Sequence, residues 1–290
     1  SRILFLTYHL PTPGEAGAGR PWAEATMLRD NGHEVTVITA GTHYLTGKST
    51  MPPGGRLFTT ERIEGMSVAK VYAVRGFRKS MLRRLMNYIS FSLLALFRGI
   101  AGRQDYVFMG TDPLFIVPVG YLLSLCHRAR LVLDERDLFP DTLLAHGMMR
   151  PGMLAASIER WHNFVRRRAH HIVAATPGIK ELLVKKGINA DKITVMVNCF
   201  PPEVDGNVRI PAAAEWEGSP TVFYGGGMGM TNALMTIVEA ARLLQERDVD
   251  VRFVFVGEGD LKATYIRHCE EQGIDNCRFL PAVTRSEMPL

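Results

Sequence analysis

The chain has 290 residues, of which 47% are hydrophobic and 22% charged, with a net charge of +5. That length and balance fit one or two ordinary globular domains and exclude a collagenous chain, a disordered chain or a small disulfide-stapled scaffold. The charge is uneven: residues 1–200 hold 26 Lys and Arg against 15 Asp and Glu, +11, and residues 201–290 hold 8 against 14, −6.

A basic first part suits nucleic acid, anionic lipid or a diphosphate-bearing substrate, and charge alone does not choose among them. Cys126, Cys199, Cys269 and Cys277 form no CxxC pair, which argues against a zinc knuckle and a disulfide framework and favours a reducing cytoplasm. The N-terminus enters an apolar strand without a basic n-region or a small-residue cleavage site, so no signal peptide is expected. The longest apolar stretches, 85–97 and 115–126, fall short of the roughly 20 residues needed to cross a bilayer.

In chain order, the spacing predicts strand 3–7, helix 22–31, strands 34–39 and 66–71, helix 81–101, strand 105–109 and helix 114–126. Strand 130–134, helix 151–168, strand 171–174, helix 178–186 and strand 192–196 follow. Strand-length apolar runs alternating with helical periods are the signature of βαβ units around a parallel sheet, so residues 1–200 are read as one doubly wound domain. Residues 198–218 then lose all periodicity and carry Pro201, Pro202 and Pro211, with Pro220 just beyond; this is the expected interdomain connection. Alternation resumes with strand 221–224, helix 232–247, strand 252–256, helix 261–273 and strand 277–280. Residues 201–290 thus read as a second domain of the same type. Three strands are fewer than the five or six such a sheet usually has, so the chain is expected to be C-terminally incomplete.

Four loops fall where open parallel sheets collect ligands, beyond the carboxyl ends of strands. Residues 8–20, YHLPTPGEAGAGR, bring Gly14, Gly17, Gly19 and Arg20 to a helix N-terminus, where backbone amides attract an anion; the alternative is a plain connection. LVLDERDLFPD, residues 131–141, sets Arg136 and Asp137 among four consecutive charges after an apolar strand; these groups either face a ligand or pair with one another. YGGGMGMTN, residues 224–232, exposes amides at Gly226 and Gly227 but has neither the GxGxxG register nor an acidic ribose-binding residue after the next strand. Gly257-Glu258-Gly259-Asp260 is a second glycine loop or a simple turn capped by Asp260. No metal site is expected, since the adjacent His170 and His171 point apart on a strand. Residues 81–103 combine arginines with interleaved aromatics, as a helix in an anionic headgroup layer would; a partly buried helix is the alternative. Arg166, Arg167 and Arg168 either extend that basic patch or favour a helix C-terminus.

In series, PTPGEAGAGR, GHEVTVIT (32–39), RDLFPDTLLAHGMM (136–149), RRRAHHIVAATPGIKELLVKKGI (166–188), KITVMVN (192–198), YGGGMGMTNALMTIVEAARLL and FVFVGEG resemble family 4 glycosyltransferases of the GT-B fold. The RDLFPDTLLAHG segment is most similar to the bacterial surface-polysaccharide subgroup around L-fucosamine transferase. The resemblance implies an α/β architecture of two Rossmann-like doubly wound domains facing across a cleft, the second truncated. It also implies retaining transfer from a nucleotide diphosphate sugar to a sugar or polyprenyl-linked acceptor, with no metal cofactor; no nucleic acid is expected, since only the net charge speaks for it and no recognised module or aromatic platform motif is present. By the same resemblance Gly17, Gly19 and Arg20 face the acceptor, Gly226, Gly227, Asn232 and Glu258 the donor, and Arg136 and Asp137 the reacting sugar. A cytoplasmic enzyme, peripheral on an anionic membrane face, is the expectation.

The chain departs from the family pattern in three places. An Arg and a Lys flank the glycine turn in the family, where this chain has Gly227 and Asn232. The family's His-Asp pair becomes Arg136-Asp137. Its two glutamates seven residues apart would lie beyond Leu290, as would the helix that braces the first domain, so this chain alone is expected to lack activity. A GT-B nucleotide-sugar epimerase and a non-catalytic binding module are the alternatives; a nicotinamide dehydrogenase lacks its fingerprint.

Overall fold

In the computed structural model, the described residues are 1–11, 19–43, 48–52, 54–76, 80–198, 220–229 and 232–283, without the side chain of Met81. They form two compact units, one ending near residue 199 and the other running on from there.

The first unit is built on an eight-stranded sheet of order β3-β4-β2-β1-β5-β6-β7-β8. Its strands are β1 Arg2–Leu6, β2 Glu34–Ala40, β3 Phe58–Ile63, β4 Met66–Val71, β5 Tyr106–Gly110, β6 Arg130–Glu135, β7 His171–Ala174 and β8 Ile193–Val195. All pairs are parallel except β3 with β4. The helices are α1 Arg20–Asp30, α2 Met81–Gly99, α3 Ile116–His127, α4 Asp141–Ala145, α5 Met153–Arg168 and α6 Pro177–Lys185.

The central strands are apolar on both sides, as a sheet covered on two faces requires. Phe5, Val35, Val37 and Val68 meet Trp22 and Ala25 of α1 on one face. Leu4, Leu6, Ile38 and Met109 meet Phe91 and Ala95 of α2 and Ile116 and Leu123 of α3 on the other. Alternate residues of one strand feed opposite cores, the period of two that a strand imposes. The order runs outward from β1 in both directions, so the switch point lies between β1 and β5, where doubly wound sheets open a crevice.

Helix boundaries follow local chemistry. Pro21 and Pro177 stand in the first turns of α1 and α6, where a missing N–H costs nothing. Ser80 and Thr176 cap α2 and α6 by accepting from Arg83 N and Ile179 N.

Three elements differ from the sequence reading. β3 and α4 are absent from it: β3 lies at the sheet edge and its residues are half-exposed or exposed, so it lacks an apolar run. Its hairpin is set by Glu64 and Gly65, both at positive φ (45° and 82°), the geometry of a two-residue turn that matches strand twist. The segment read as strand 192–196 opens as a 3₁₀ turn, Ala190–Lys192.

The second unit carries β9 Thr221–Gly225, α7 Met235–Gln245, β10 Arg252–Val256, α8 Lys262–Gln272 and β11 Cys277–Leu280. The three strands are parallel in the order β11-β10-β9. Val238 and Ala241 of α7 and Tyr265 and Cys269 of α8 close on Phe253 and Phe255.

Candidate functional site

The carboxyl edge of β1, β5 and β6 gathers a dense group of charges. Asp134, fully buried near the end of β6, accepts from Arg20 Nη2 at Oδ1 (2.8 Å) and pairs through Oδ2 with Arg136 Nε (2.8 Å). Arg20 stands at the first position of α1. Its Nε pairs with Glu24 Oε1 one helical turn on (2.8 Å), and its Nη1 donates to Met196 O (2.6 Å) and Asn198 Oδ1 (3.0 Å) beyond β8. One guanidinium thereby ties α1 to β6 and to the segment after β8.

Glu24 is buried, and its Oε2 has no hydrogen-bond partner among the described residues. Burial and the neighbouring Asp134 charge push its carboxyl up to about 8, against the pull of Arg20 and Arg136. Burial beside Asp134 thus favours the protonated form of the Glu24 carboxyl.

Arg136 lies over the end of β5. A Cβ on Gly110 would fall 2.4 Å from Arg136 Nη2, so the bare glycine leaves room for the side chain. Arg136 is held at Nε, and its terminal nitrogens donate no hydrogen bond among the described residues. Asp137 is exposed and makes no ion pair there. Asp112, beyond β5, is exposed at the same edge.

Glu135 faces the other way from Asp134 and serves the core. Arg166 clasps it with Nε (2.7 Å) and Nη2 (3.1 Å), Thr111 Oγ1 donates to it (3.1 Å), and Arg166 Nη1 donates to Asn163 Oδ1 (3.0 Å). Arg166 is 1% exposed. The triple-arginine run is therefore neither a patch of three nor a simple helix-end effect: its first member is a core residue, because the α5 period turns it inward toward a buried carboxylate.

Gly19 caps α1 at φ −77°, ordinary backbone for any residue. Gly17 and the rest of 12–18 lie outside the described residues.

In the second unit the two glycine loops lean on each other. Gly257 sits at φ +153°, and a Cβ there would fall 1.9 Å from Gly226 O; one on Gly259 would fall 2.4 Å from Met228 O. These glycines are required by loop-on-loop packing. Gly227 O accepts from Tyr224 OH (2.7 Å) and from Asn232 Nδ2. Glu258 is paired with Lys262 Nζ (2.8 Å), which also donates to Gly257 O (2.9 Å) and Leu280 O (2.8 Å). Lys262 is thus a cation on this edge, although neither of the two positions flanking the glycine turn carries one.

The structure brings Arg20 and Arg136 together through Asp134 and brings Gly226, Gly227, Asn232 and Glu258 into one loop pair. The sequence reading missed Glu24, Asp112 and Lys262. The first had a signal in its i, i+4 spacing from Arg20.

A family model described as "Glycosyl transferase 4-like domain" matches residues 20–199. The chain belongs to this family. The match spans Arg20, Asp134 and Arg136, so the charge cluster lies within the glycosyl transferase 4-like domain. WcaI of Escherichia coli (strain K12), assigned as a colanic acid biosynthesis glycosyl transferase, is 25% identical over 300 residues, covering 96% of this chain and 71% of WcaI. Among solved structures, sucrose-phosphate synthase from Thermosynechococcus elongatus is similar with a TM-score of 0.68 at 12% identity, over 98% of this chain and 71% of that one. Anabaena HepE in complex with UDP-glucose is similar with a TM-score of 0.58 at 14% identity, over 97% and 69%. The fold is that of GT-B glycosyltransferases, built from Rossmann-like units.

Proposed function

We propose that this chain supplies the acceptor-side unit and part of the donor-side unit of a retaining glycosyltransferase. The enzyme moves a sugar from a nucleotide diphosphate sugar to a sugar or polyprenyl-linked acceptor in cell-surface polysaccharide or O-antigen assembly, on the cytoplasmic face of the membrane. Family membership over residues 20–199 carries this reading, and the names of WcaI and of the UDP-glucose complex of HepE support it.

In this reading Arg20 and Gly19 frame the acceptor side, Arg20 by holding Asp134 and, through it, Arg136. The terminal nitrogens of Arg136 then meet the reacting substrate beside Asp137, a cationic fork suited to hydroxyl or phosphate oxygens. The amides of Gly226 and Gly227, with Asn232 and Glu258, hold the donor. The diphosphate is held by backbone amides and the helix dipole, without a metal. A first part carrying +11 suits an acceptor that bears a diphosphate.

The test is incubation of the full-length native protein with a panel of labelled nucleotide sugars, with and without a membrane lipid extract, and NMR of the product's anomeric centre. The expected result is transfer that needs acceptor, is unaffected by chelator and retains the donor configuration. Turnover of donor alone to its epimer, or no turnover of any donor, would overturn it.

A further inference from the structure

Strands β2 and β4 run parallel to β1, so their carboxyl ends share the edge that carries Arg20 and Arg136, and a second cationic feature lies there. The chain leaves β2 at Gly41 and folds back, Thr50 N donating to Gly41 O (3.0 Å). Met51 is then buried over Gly41, where a Cβ would fall 2.3 Å from its Cγ, and its Sδ accepts from Thr59 Oγ1 of β3 (3.5 Å). Gly54 and Gly55, at φ 115° and 70°, lead into β3 through backbone that glycine takes most readily. Tyr72, one residue past β4, donates its N–H to Leu57 O (2.9 Å). Met51, Gly55, Arg56, Leu57, Tyr72 and Arg75 line a cavity of about 350 Å³, a size suited to a small ligand and, with its walls tied by main-chain hydrogen bonds, already formed.

Charge and lining select the ligand. Arg56 and Arg75 are exposed, and neither has a hydrogen bond or an ion pair among the described residues. Residues 35–60 and 65–104 contain no Asp or Glu, so the segments that line the cavity supply no anion of their own. A concave site walled by one sign of charge concentrates the opposite sign, and guanidinium forks match the oxygens of a carboxylate or a phosphate. Met51, Leu57 and the half-buried Tyr72 give the cavity an apolar side, suited to the C–H face of a sugar ring. Strands β4 and β6 are four places apart in the sheet, about 19 Å at the usual strand spacing, so the cavity is separate from the cluster around Asp134.

We propose that this cavity, between the segments after β2 and β4, binds a sugar carrying a carboxylate or a phosphate, with Arg56 and Arg75 holding the anionic group. Its role as the remote subsite of a longer glycan acceptor rests on the acceptor reading above; binding is measured without turnover, so its failure and that of sugar transfer are distinguishable.

The experiment is isothermal titration of the full-length native protein, without donor, with glucuronate, glucose 6-phosphate, neutral glucose and inorganic phosphate, for wild type, R56Q/R75Q and L57E. The expected result is saturable binding of glucuronate or glucose 6-phosphate, about tenfold or more tighter than glucose or phosphate; the tighter of the two identifies the anionic group. R56Q/R75Q should weaken it about tenfold or more with circular dichroism and melting unchanged, since both side chains are exposed. L57E, which sets an anion beside the arginines, should weaken it as well. Saturation-transfer NMR supplies a second readout: the sugar ring protons should receive saturation from wild type and not from R56Q/R75Q. Glucose or phosphate binding as tightly as the anionic sugars, undiminished binding by folded R56Q/R75Q, or no binding of any of the four would overturn the proposal.

Discussion

Arg20 and Asp134, 114 residues apart, share a 2.8 Å hydrogen bond inside the first unit, and both side chains are nearly or wholly buried. The contact joins the helix after the central strand to the end of β6, and it leaves the second oxygen of Asp134 to fix Arg136. Two sequence-distant segments thereby meet at the edge where this sheet opens.

Asp134→Ala removes the anion from between two guanidinium groups, one of them buried. Arg20 keeps Glu24, Met196 and Asn198 as partners, so the loss is that of the Asp134 contacts, about 1–3 kcal/mol, and the urea midpoint should fall. A change below about 1 kcal/mol would mean that the cluster is not held as described.

Glu24 gives a pH signature. Its folded pKa, raised to about 8 by burial and Asp134, lies above the unfolded carboxylate value. The folded state then binds the extra proton between the unfolded value and about pH 8, so this group's contribution to stability falls as pH rises through that window and levels off above it. Glu24→Gln removes the decline while keeping an oxygen for Arg20. The difference between wild-type and variant urea midpoints, followed from pH 5 to 9, should shrink in favour of the variant with rising pH; a flat difference contradicts the assignment.

His162 acts with the opposite sign. Burial, helped by Arg166, depresses it to about 4, so between about pH 4 and its unfolded value the unfolded chain binds more protons. Stability should therefore rise with pH across that window. His162→Gln should flatten the acid limb of the wild-type curve, as thermal melts at pH 4.5 and 6.5 would reveal.

Gly257→Ala strains a backbone at φ +153° and drives a methyl into Gly226 O. The neighbour is main chain and cannot swing aside, so the second unit should lose about 2–3 kcal/mol, read by hydrogen exchange of β10. Gly110→Ala meets only the far end of Arg136. It should leave stability within about 1 kcal/mol while displacing the guanidinium, which sugar-transfer rates of the full-length protein would register.

The parallel strands were legible because each is a short apolar run between turn residues, and the helices because their apolar positions recur at helical spacing. β3 was not, since an edge strand with mostly half-exposed and exposed positions carries no apolar alternation. DERD announced charges in need of partners, yet nothing local says that Asp134 turns to Arg20 and Arg136 while Glu135 turns to Arg166. That split follows from strand alternation and from which helix covers each face. The glycine loops were legible as candidate ligand turns. Their packing on each other at Gly257 and Gly226 was not, because it joins two loops about 30 residues apart.

The glycine-lined loop pair as a nucleotide site is tested most directly by isothermal titration of UDP, GDP, ADP and dTDP into the full-length native protein, with Gly257→Ala alongside. Saturable binding of one nucleotide in preference to the others, weakened about tenfold or more in the folded variant, is the result expected of a nucleotide-sugar glycosyltransferase. Absence of binding to any of the four by a folded wild-type protein would contradict it.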